Sequence, residues 1–176
     1  MGRTGPWVLA AAVAAAVGFA LLTGPRGPEP VGRGSDAPDF RLPRVPGGEP
    51  LALEDLRGRA VLLNFWATWC APCEAEMPAM QRLNRRLEPE GLTLVAVSVD
   101  ESEEAVERFR QRLGLEFPIV WDPEREVSER YQTYKYPETL LIDREGRVVE
   151  RYVGPREWDA PDYEARIRRL LGAGAP

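Results

Sequence analysis

The chain of 176 residues contains no histidine and only two cysteines, and both scarcities exclude chemistry. Without histidine there is no Ser-His-Asp or Cys-His catalysis, no zinc or copper held by imidazole, and no histidine general base near neutral pH. Two cysteines that lie three residues apart are too few and too close for a framework of stapling disulfides. Redox or nucleophilic chemistry in this chain therefore points first to Cys70 and Cys73.

Positive charge is also scarce relative to negative charge. The 23 lysine and arginine residues face 28 aspartate and glutamate residues, which gives a net charge of −5. Binding to a phosphate backbone requires clustered positive charge, so nucleic acid is not an expected partner. The length and the hydrophobic content of 44% predict one domain of ordinary size with a sizeable core.

The N-terminal segment predicts export or membrane insertion. Residues 7–22 are sixteen residues without a charge, which as a helix would span about 24 Å, short of the roughly 30 Å of a hydrocarbon core. We expect residues 1–23 to be a membrane anchor, with a cleaved signal segment and secretion as the alternative. Residues 24–37, rich in Pro and Gly, predict a linker, and residues 38–176 predict the folded domain on the extracytoplasmic (periplasmic or outer) side, where a cysteine pair can form a disulfide.

Hydrophobic patterning over the domain predicts an α/β fold. Near-continuous apolar runs indicate buried strands, and apolar residues at helical spacing follow them. Strands are predicted at 60–66, 92–99, 117–121, 139–143 and 147–153, and helices from 72 to 87 and at 102–113, 124–131 and 161–171. This order predicts a mixed central sheet with helices on both faces and a C-terminal β-hairpin followed by a helix.

The Cys-x-x-Cys pair lies where the first long strand meets its helix. Unpaired N–H groups and the helix dipole stabilise a thiolate at a helix N-terminus, which favours Cys70 as the nucleophile and Cys73 as the resolving thiol. An inert disulfide staple is one alternative, but it would close a very short loop. Half of a metal site is another, but the chain lacks the remaining ligands. A redox pair is the preferred interpretation.

The residues around this pair resemble a known family. The block NFWATWCAPC at 64–73, followed by Glu-Met-Pro at 76–78, resembles the active site of membrane-anchored thioredoxin-like thiol-disulfide oxidoreductases of the TlpA, ResA and DsbE type, and similarity extends to 37–40 and 137–143. The resemblance implies a thioredoxin-like fold and an extracytoplasmic disulfide reductase with no cofactor or metal beyond its redox-active disulfide. It implies protein disulfides as substrates, with apocytochrome c thiols during cytochrome c maturation as one class, and a membrane thiol-electron donor.

The same resemblance suggests residues that face a substrate. Pro137 resembles the family's cis-proline, which would present the backbone of Tyr136 to an extended substrate segment; an ordinary trans proline is the alternative. Trp69 and Pro72 flank the cysteines and are expected to contact substrate. Glu138 resembles a residue of the cytochrome-maturation subgroup and is added as a substrate-binding candidate.

Glu76 is the candidate proton acceptor. It lies one helical turn after Cys73 and resembles the acid that family members carry near their cysteines, whereas Asn64 occupies the position of the buried acid of thioredoxin itself. A buried carboxylate titrates high and would accept the Cys73 proton as the resolving thiol attacks. The alternative is a solvated glutamate on the helix face.

Two other functions stay open at the level of sequence. A thiol peroxidase of the peroxiredoxin type shares the thioredoxin-like core, but it would require a threonine three residues before its cysteine, and Ala67 stands there before Cys70. A metallochaperone-like assembly factor would be expected to use a distal histidine, which the chain does not contain.

Overall fold

The computed structural model describes residue 13 and residues 30–172, and the fold rests on a six-stranded mixed sheet. The strands are β1 (Arg41–Leu42), β2 (Arg44–Val45), β3 (Leu51–Ala52), β4 (Ala60–Trp66), β5 (Leu92–Ser98), β6 (Ile119–Trp121), β7 (Glu138–Ile142) and β8 (Val148–Val153). The helices are α1 (Ala71–Leu87), α2 (Glu103–Leu113), α3 (Glu126–Arg130) and α4 (Pro161–Gly172). The sheet has the order β2-β6-β5-β4-β7-β8, and β1 pairs with β3 in a separate ribbon.

Strand β4 lies in the middle of the sheet because its side chains, apart from that of Asn64, are apolar on both faces. All seven residues are buried, and the strand pairs in parallel with β5 and antiparallel with β7. Leu62 and Trp66 face the layer formed with α1, α2 and α4. Leu63 and Phe65 face the opposite layer, formed with α3 and the N-terminal strands. The C-terminal end of β4 therefore delivers the chain, from a fixed position, to the start of α1.

The helices begin and end where the sequence provides caps. The hydroxyl of Ser102 accepts a hydrogen bond from Ala105 N at 3.2 Å at the start of α2, and Gly114, with φ at 61°, ends that helix in the left-handed region. Cys70 is the N-cap of α1, and a proline follows in its first turn. Both starts agree with the expectation from sequence.

The predicted architecture is confirmed from β4 to α4. The sheet is mixed, helices cover both faces, and β7 with β8 forms the antiparallel hairpin before the final helix. The strands β1, β2 and β3 were not predicted, because two residues are too few for a period-two pattern to show. Strand β2 adds to the edge of the sheet beside β6.

The start of the domain corrects the predicted linker boundary. Val31 and Ala37 are buried, and residues 34–37 pair with the hairpin: Gly34 N donates to Val148 O at 2.8 Å and Ala37 N donates to Gly146 O at 2.9 Å. The predicted linker at 24–37 therefore gives way to the folded domain at Val31. Its Pro/Gly composition did not show this, because the partner is a hairpin more than a hundred residues away along the chain.

The predicted anchor or signal segment at 1–23 falls outside the described residues except for residue 13, and so does the linker from 24 to 29. Within the described part of the chain, no helix combines the length and the apolar character that crossing a bilayer requires.

Candidate active site

The two cysteines form a disulfide at the N-terminus of α1, as the spacing predicted. Cys70 is the N-cap of the helix, and its Sγ accepts a hydrogen bond from Cys73 N at 3.3 Å. The same backbone N–H would hold a Cys70 thiolate after reduction. Cys70 retains 6% exposure while Cys73 is completely buried. An incoming sulfur therefore has access to Cys70 and not to Cys73.

Glu76 is buried one turn further along α1. Only 3% of the residue is exposed, and its carboxylate accepts three hydrogen bonds: Oε1 from Asn64 Nδ2 at 3.0 Å, and Oε2 from Arg156 N at 3.0 Å and Trp158 Nε1 at 2.9 Å. Burial raises the pKa of Glu76 to about 7, although these three donors favour the charged form and lower it. The alternative of a solvated glutamate is therefore wrong.

Asn64 connects this carboxylate to the next strand. The residue is fully buried in the middle of β4, and its Nδ2 donates to Thr139 Oγ1 at 2.9 Å as well as to Glu76. Thr139 lies in β7, two residues after Pro137. At the position where thioredoxin carries a buried acid, this chain has the amide of Asn64. The buried acid, Glu76, comes instead from α1 and hydrogen-bonds to that amide.

Two of the donors to Glu76 come from a segment that the sequence did not single out. Arg156 and Trp158 lie between β8 and α4, and Trp158 is fully buried with its ring 5.2 Å from that of Tyr152. No spacing rule connects residues 156–158 with a helix eighty residues earlier. The sequence offers one signal, an isolated tryptophan in a polar loop. If such a residue is buried, its indole N–H requires a hydrogen-bond partner.

The Tyr136–Pro137 peptide bond is cis, as the resemblance implied. Pro137 is buried, and its carbonyl accepts a hydrogen bond from Gly154 N at 2.9 Å. Tyr136 is half-buried, and its ring lies 6.0 Å from the ring of Trp69 in an edge-to-face arrangement. The residue before the cis-proline and the residue before Cys70 therefore meet side by side.

Exposed side chains flank the cysteine pair along the chain. Trp69, directly before Cys70, is 63% exposed, and Pro72 is exposed in the first turn of α1. Trp66, by contrast, lies entirely in the core, and the centroid of its ring is 4.7 Å from that of Phe109. Trp69, Pro72 and Tyr136 thus occupy positions from which they can contact a substrate, and their roles stay predictions.

Glu138 does not face outward, which corrects its expected place among substrate contacts. Its side chain is buried, and Oε1 accepts from Arg151 Nε at 2.6 Å. The same guanidinium donates to the carbonyls of Val31, Tyr131 and Gln132 at 2.7, 2.9 and 2.8 Å. Glu138 therefore anchors the cis-proline strand to the interior and to the start of the domain. The sequence hid this because its partner lies on the neighbouring strand.

Among the residues that the structure describes, no group of three or more Cys, Asp or Glu side chains is placed to hold a metal ion. The chemistry available at this site is the thiol-disulfide exchange of Cys70 and Cys73 themselves, with Glu76, one helical turn after Cys73, as a group that can change its protonation state near neutral pH.

Comparisons with known proteins point to the same chemistry. A model of the AhpC/TSA family matches residues 33–151. The thiol-disulfide oxidoreductase ResA of Bacillus subtilis (strain 168) is 42% identical over 128 residues, which cover 73% of this chain and 71% of that protein.

Solved structures show the same relationship. A crystal structure from Chlorobium tepidum, described as a thiol:disulfide interchange protein DsbE, superimposes with a TM-score of 0.74 at 34% identity, covering 80% of this chain and 98% of that one. A thiol:disulfide interchange protein of the thioredoxin family from Chlorobium tepidum TLS superimposes with a TM-score of 0.70 at 28% identity, over 80% and 98% of the two chains. The range of 33–151 matched by the family model includes β4, α1 and the cysteine pair.

Proposed function

Because the chain belongs to the thioredoxin-like thiol-disulfide oxidoreductases of the ResA and DsbE type, which the AhpC/TSA family model also matches here, we propose that it reduces protein disulfides outside the cytoplasm. The observation that carries this proposal is the asymmetry of the pair. Cys70 reaches the surface at the helix N-terminus, and Cys73 is sealed beneath it.

The reaction begins from the dithiol. The Cys70 thiolate attacks one sulfur of a substrate disulfide, the substrate S–S bond breaks, and the released substrate sulfur leaves as a thiolate that takes up a proton from water. Cys73 then loses its proton, attacks Cys70 Sγ and releases the second substrate thiol. Two electrons pass from the pair to the substrate, and the protein ends in the disulfide form that the structure contains.

Glu76 is the proposed acceptor of the Cys73 proton. It follows Cys73 by one turn on the same helix, it is buried in the same layer, and burial raises its pKa to about 7. A carboxylate with a pKa near that value can both take a proton from a thiol and release it again near neutral pH. The Asn64 amide and the Trp158 indole hold the carboxylate in place for both steps.

The aromatic residues are the proposed substrate contacts. Trp69 and Tyr136 lie edge to face beside Cys70, and the cis-proline follows Tyr136 directly. Pro72 extends the same exposed surface on the helix side. An extended peptide around a substrate cysteine could lie against this surface with its disulfide over Cys70. The disulfide of an apocytochrome c is the proposed substrate, and its reduction would yield the two apocytochrome thiols, in keeping with the resemblance to the ResA and DsbE relatives.

A membrane thiol carrier is the proposed electron donor. The N-terminal sequence supports a location of the folded domain at the extracytoplasmic face of a membrane. The uncharged run at residues 7–22 supports export or anchoring. Labelling of the reduced protein in intact cells with a thiol reagent that cannot cross membranes tests this location. Labelling of Cys70 only after cell lysis would contradict it, and the mass of the isolated protein distinguishes an anchor from a cleaved segment.

Trapping of a mixed disulfide tests the mechanism. Cys73→Ser should accumulate a covalent adduct between Cys70 and a disulfide-containing peptide, visible by mass spectrometry and released by dithiothreitol. Cys70→Ser should give no adduct and no turnover. Equal turnover by both variants and the unchanged protein would refute a two-cysteine mechanism.

A thiol peroxidase is the second candidate, because the matching family model is that of AhpC/TSA. The residue three before Cys70 is alanine, and the nearby buried sulfur of Cys73 suits disulfide exchange. Peroxide consumption coupled to a dithiol donor separates the two functions. Turnover of hydrogen peroxide faster than that of a protein disulfide would favour the peroxidase.

A further inference from the structure

Asp100 is a buried acid at the C-terminal end of β5 that binds the segment just before the cysteine pair. Only 4% of the residue is exposed. Its carboxylate accepts hydrogen bonds from Thr68 N at 3.2 and 2.9 Å, from Thr68 Oγ1 at 2.6 Å and from Ser98 Oγ at 2.8 Å. Its backbone is fixed as well, because Asp100 N donates to Ser98 Oγ at 3.2 Å and Trp121 Nε1 donates to Asp100 O at 2.6 Å.

The segment that Asp100 binds is the turn that leads into α1. Cys70 N donates to Ala67 O at 3.2 Å, so residues 67–70 form a tight turn with Thr68 and Trp69 at its corners. The first corner is held by Asp100 through both its N–H and its hydroxyl. The second corner carries the exposed indole that meets Tyr136 beside the cis-proline. Asp100 therefore fixes the turn that places both the indole and the reactive sulfur.

The hydrogen-bond pattern calls for a carboxylate at this position. Two Thr68 donors and the Ser98 hydroxyl converge on the two oxygens, and only an acceptor-only group with two oxygens accepts all of them without rearrangement. The carboxylate of Asp100 therefore places a negative charge in the interior, bonded to Thr68, which precedes Cys70 by two residues. A negative charge near a thiol opposes the thiolate and shifts the pair towards reduction of its partners.

We propose that Asp100 is a positioning residue of the redox site, which fixes the turn before Cys70 through Thr68 and whose negative charge disfavours the Cys70 thiolate. The inference rests on the redox cycle of the cysteine pair and not on the identity of the substrate. Asp100 acts through its neighbours and contacts no reacting atom.

Other charged groups share the surroundings of the turn. Glu101 and Arg125 line, together with Asp100 and Trp69, a cavity of about 340 Å³ beside the turn. On α1, Glu74 lies in the first turn, paired with Arg112 at 2.6 Å, and Glu76 follows it in the interior. These groups are unchanged by a substitution at residue 100, so a difference between variants isolates the contribution of that carboxylate.

Substitution Asp100→Asn in the full-length protein tests the charge. The asparagine oxygen can still accept from Thr68, which retains the turn, while the Ser98 hydroxyl rotates to accept from the new NH₂ group and the charge is lost. At an effective dielectric constant of about 20, a unit negative charge near a thiol interacts with the thiolate strongly enough to move its pKa by about one unit. Alkylation of the reduced protein by iodoacetamide as a function of pH reports the Cys70 thiolate. We expect its midpoint to fall by about one unit.

The expected change in the alkylation rate of Cys70 follows from this fall in its pKa. A fall of one unit raises the thiolate fraction about tenfold at low pH, and the lower nucleophilicity of the weaker base reduces the net gain to about threefold. We also expect the exchange equilibrium with glutathione to shift towards the dithiol.

Asp122→Asn is the matched control. Asp122 is also a buried aspartate, but its carboxylate accepts from Val127 N at 3.2 Å and Ser128 N at 2.8 Å at the start of α3. This variant should lose stability and keep the alkylation midpoint. If Asp100→Asn behaves in the same way, Asp100 is only a structural acceptor and the proposal is overturned.

Thr68→Val keeps the proposal testable even if Asp100→Asn does not fold. Valine preserves the shape and the N–H of Thr68 but removes the hydroxyl that donates to Asp100, while the charge stays. We expect KM for a protein disulfide to rise severalfold with an unchanged alkylation midpoint. An unchanged KM would refute the positioning role. Absence of protein-disulfide reduction by the unsubstituted protein would instead refute the proposed function, since the alkylation measurement uses no substrate.

Discussion

Replacement of Glu76 by glutamine provides the most quantitative test of the buried carboxylate. In the unfolded chain this group has its ordinary pKa of 4.5, and in the folded protein burial raises the pKa to about 7. A raised pKa contributes stability that is complete below pH 4.5, because the folded and unfolded states are then both protonated. It is lost as the pH rises through 7, because the unfolded chain releases the proton more easily.

The size of this loss follows from the two pKa values. At about 1.4 kcal/mol per pKa unit, the difference between 4.5 and about 7 amounts to about 3 kcal/mol in the free energy of unfolding. Glutamine resembles the protonated form and stays neutral at every pH. Glu76→Gln should therefore be more stable than the unsubstituted protein by up to about 3 kcal/mol at pH 8 and nearly equal to it at pH 4.

The hydrogen bonds around residue 76 can adapt to glutamine. Its oxygen can accept from Arg156 N and Trp158 Nε1, where Glu76 Oε2 now accepts. Its NH₂ group would meet Asn64, whose carboxamide can rotate to present its oxygen instead of its nitrogen. The substitution therefore removes the charge without leaving a donor facing a donor.

Urea unfolding of the disulfide form between pH 4 and 8.5 measures the effect. Glu74→Gln on the same helix is the control, because Glu74 is at the surface and its ion pair with Arg112 lowers its pKa. It should show no gain in stability with rising pH. Parallel stability curves for Glu76→Gln and the unsubstituted protein would refute the reasoning that burial governs this carboxylate.

Three further changes test the surroundings of the site. Trp158→Phe removes an indole donor that lowers the pKa of Glu76, so the carboxyl resonance of Glu76 in NMR should titrate at a higher pH; an unchanged midpoint would show that the bond is weak. Arg151→Met leaves Glu138 buried without its partner and should cost about 3 to 5 kcal/mol in urea unfolding, with part of the loss recovered when Glu138→Gln is added. Trp69→Ala removes a side chain that is 63% exposed, so stability should change by less than about 0.5 kcal/mol while KM for a protein disulfide rises; an unchanged KM would remove Trp69 from the substrate surface.

The central part of the fold could be predicted because local patterns determine it. The apolar run of β4 and the helical spacing of α1 are consecutive in sequence, and the cysteine pair lies at their junction. The cap at Ser102 and the left-handed Gly114 mark α2 equally directly. At these places propensity, patterning and capping agree with the tertiary structure.

The remainder depends on contacts between distant parts of the chain. The place of Glu138 is set by Arg151 on the neighbouring strand, so its family resemblance suggested a surface role that its side chain does not have. Asp100 follows an apolar strand like many acids in loops, and only the folded structure brings it to Thr68. Val31 is buried in the apolar layer that contains Tyr131, and Arg151 binds its carbonyl; a Pro/Gly-rich sequence reveals neither contact.

The burial of Glu76 was an expectation with an open alternative, and the structure decides it. Its neighbours Trp158 and Arg156 come from a loop after the hairpin, and their approach removes the carboxylate from water. The one-turn spacing from Cys73 shows which face of α1 carries Glu76. It does not show that the loop with Arg156 and Trp158 covers that face.

The reduction potential of the Cys70–Cys73 pair decides whether the protein works as a reductase of disulfides or as an oxidant. Equilibration of the protein with defined ratios of oxidised and reduced dithiothreitol, followed by quantification of the dithiol and disulfide forms by mass spectrometry, gives this value. A reductase of protein disulfides should have a potential near that of thioredoxin, about −270 mV, or below it. A potential near about −120 mV, that of a strong oxidant, would contradict the assignment.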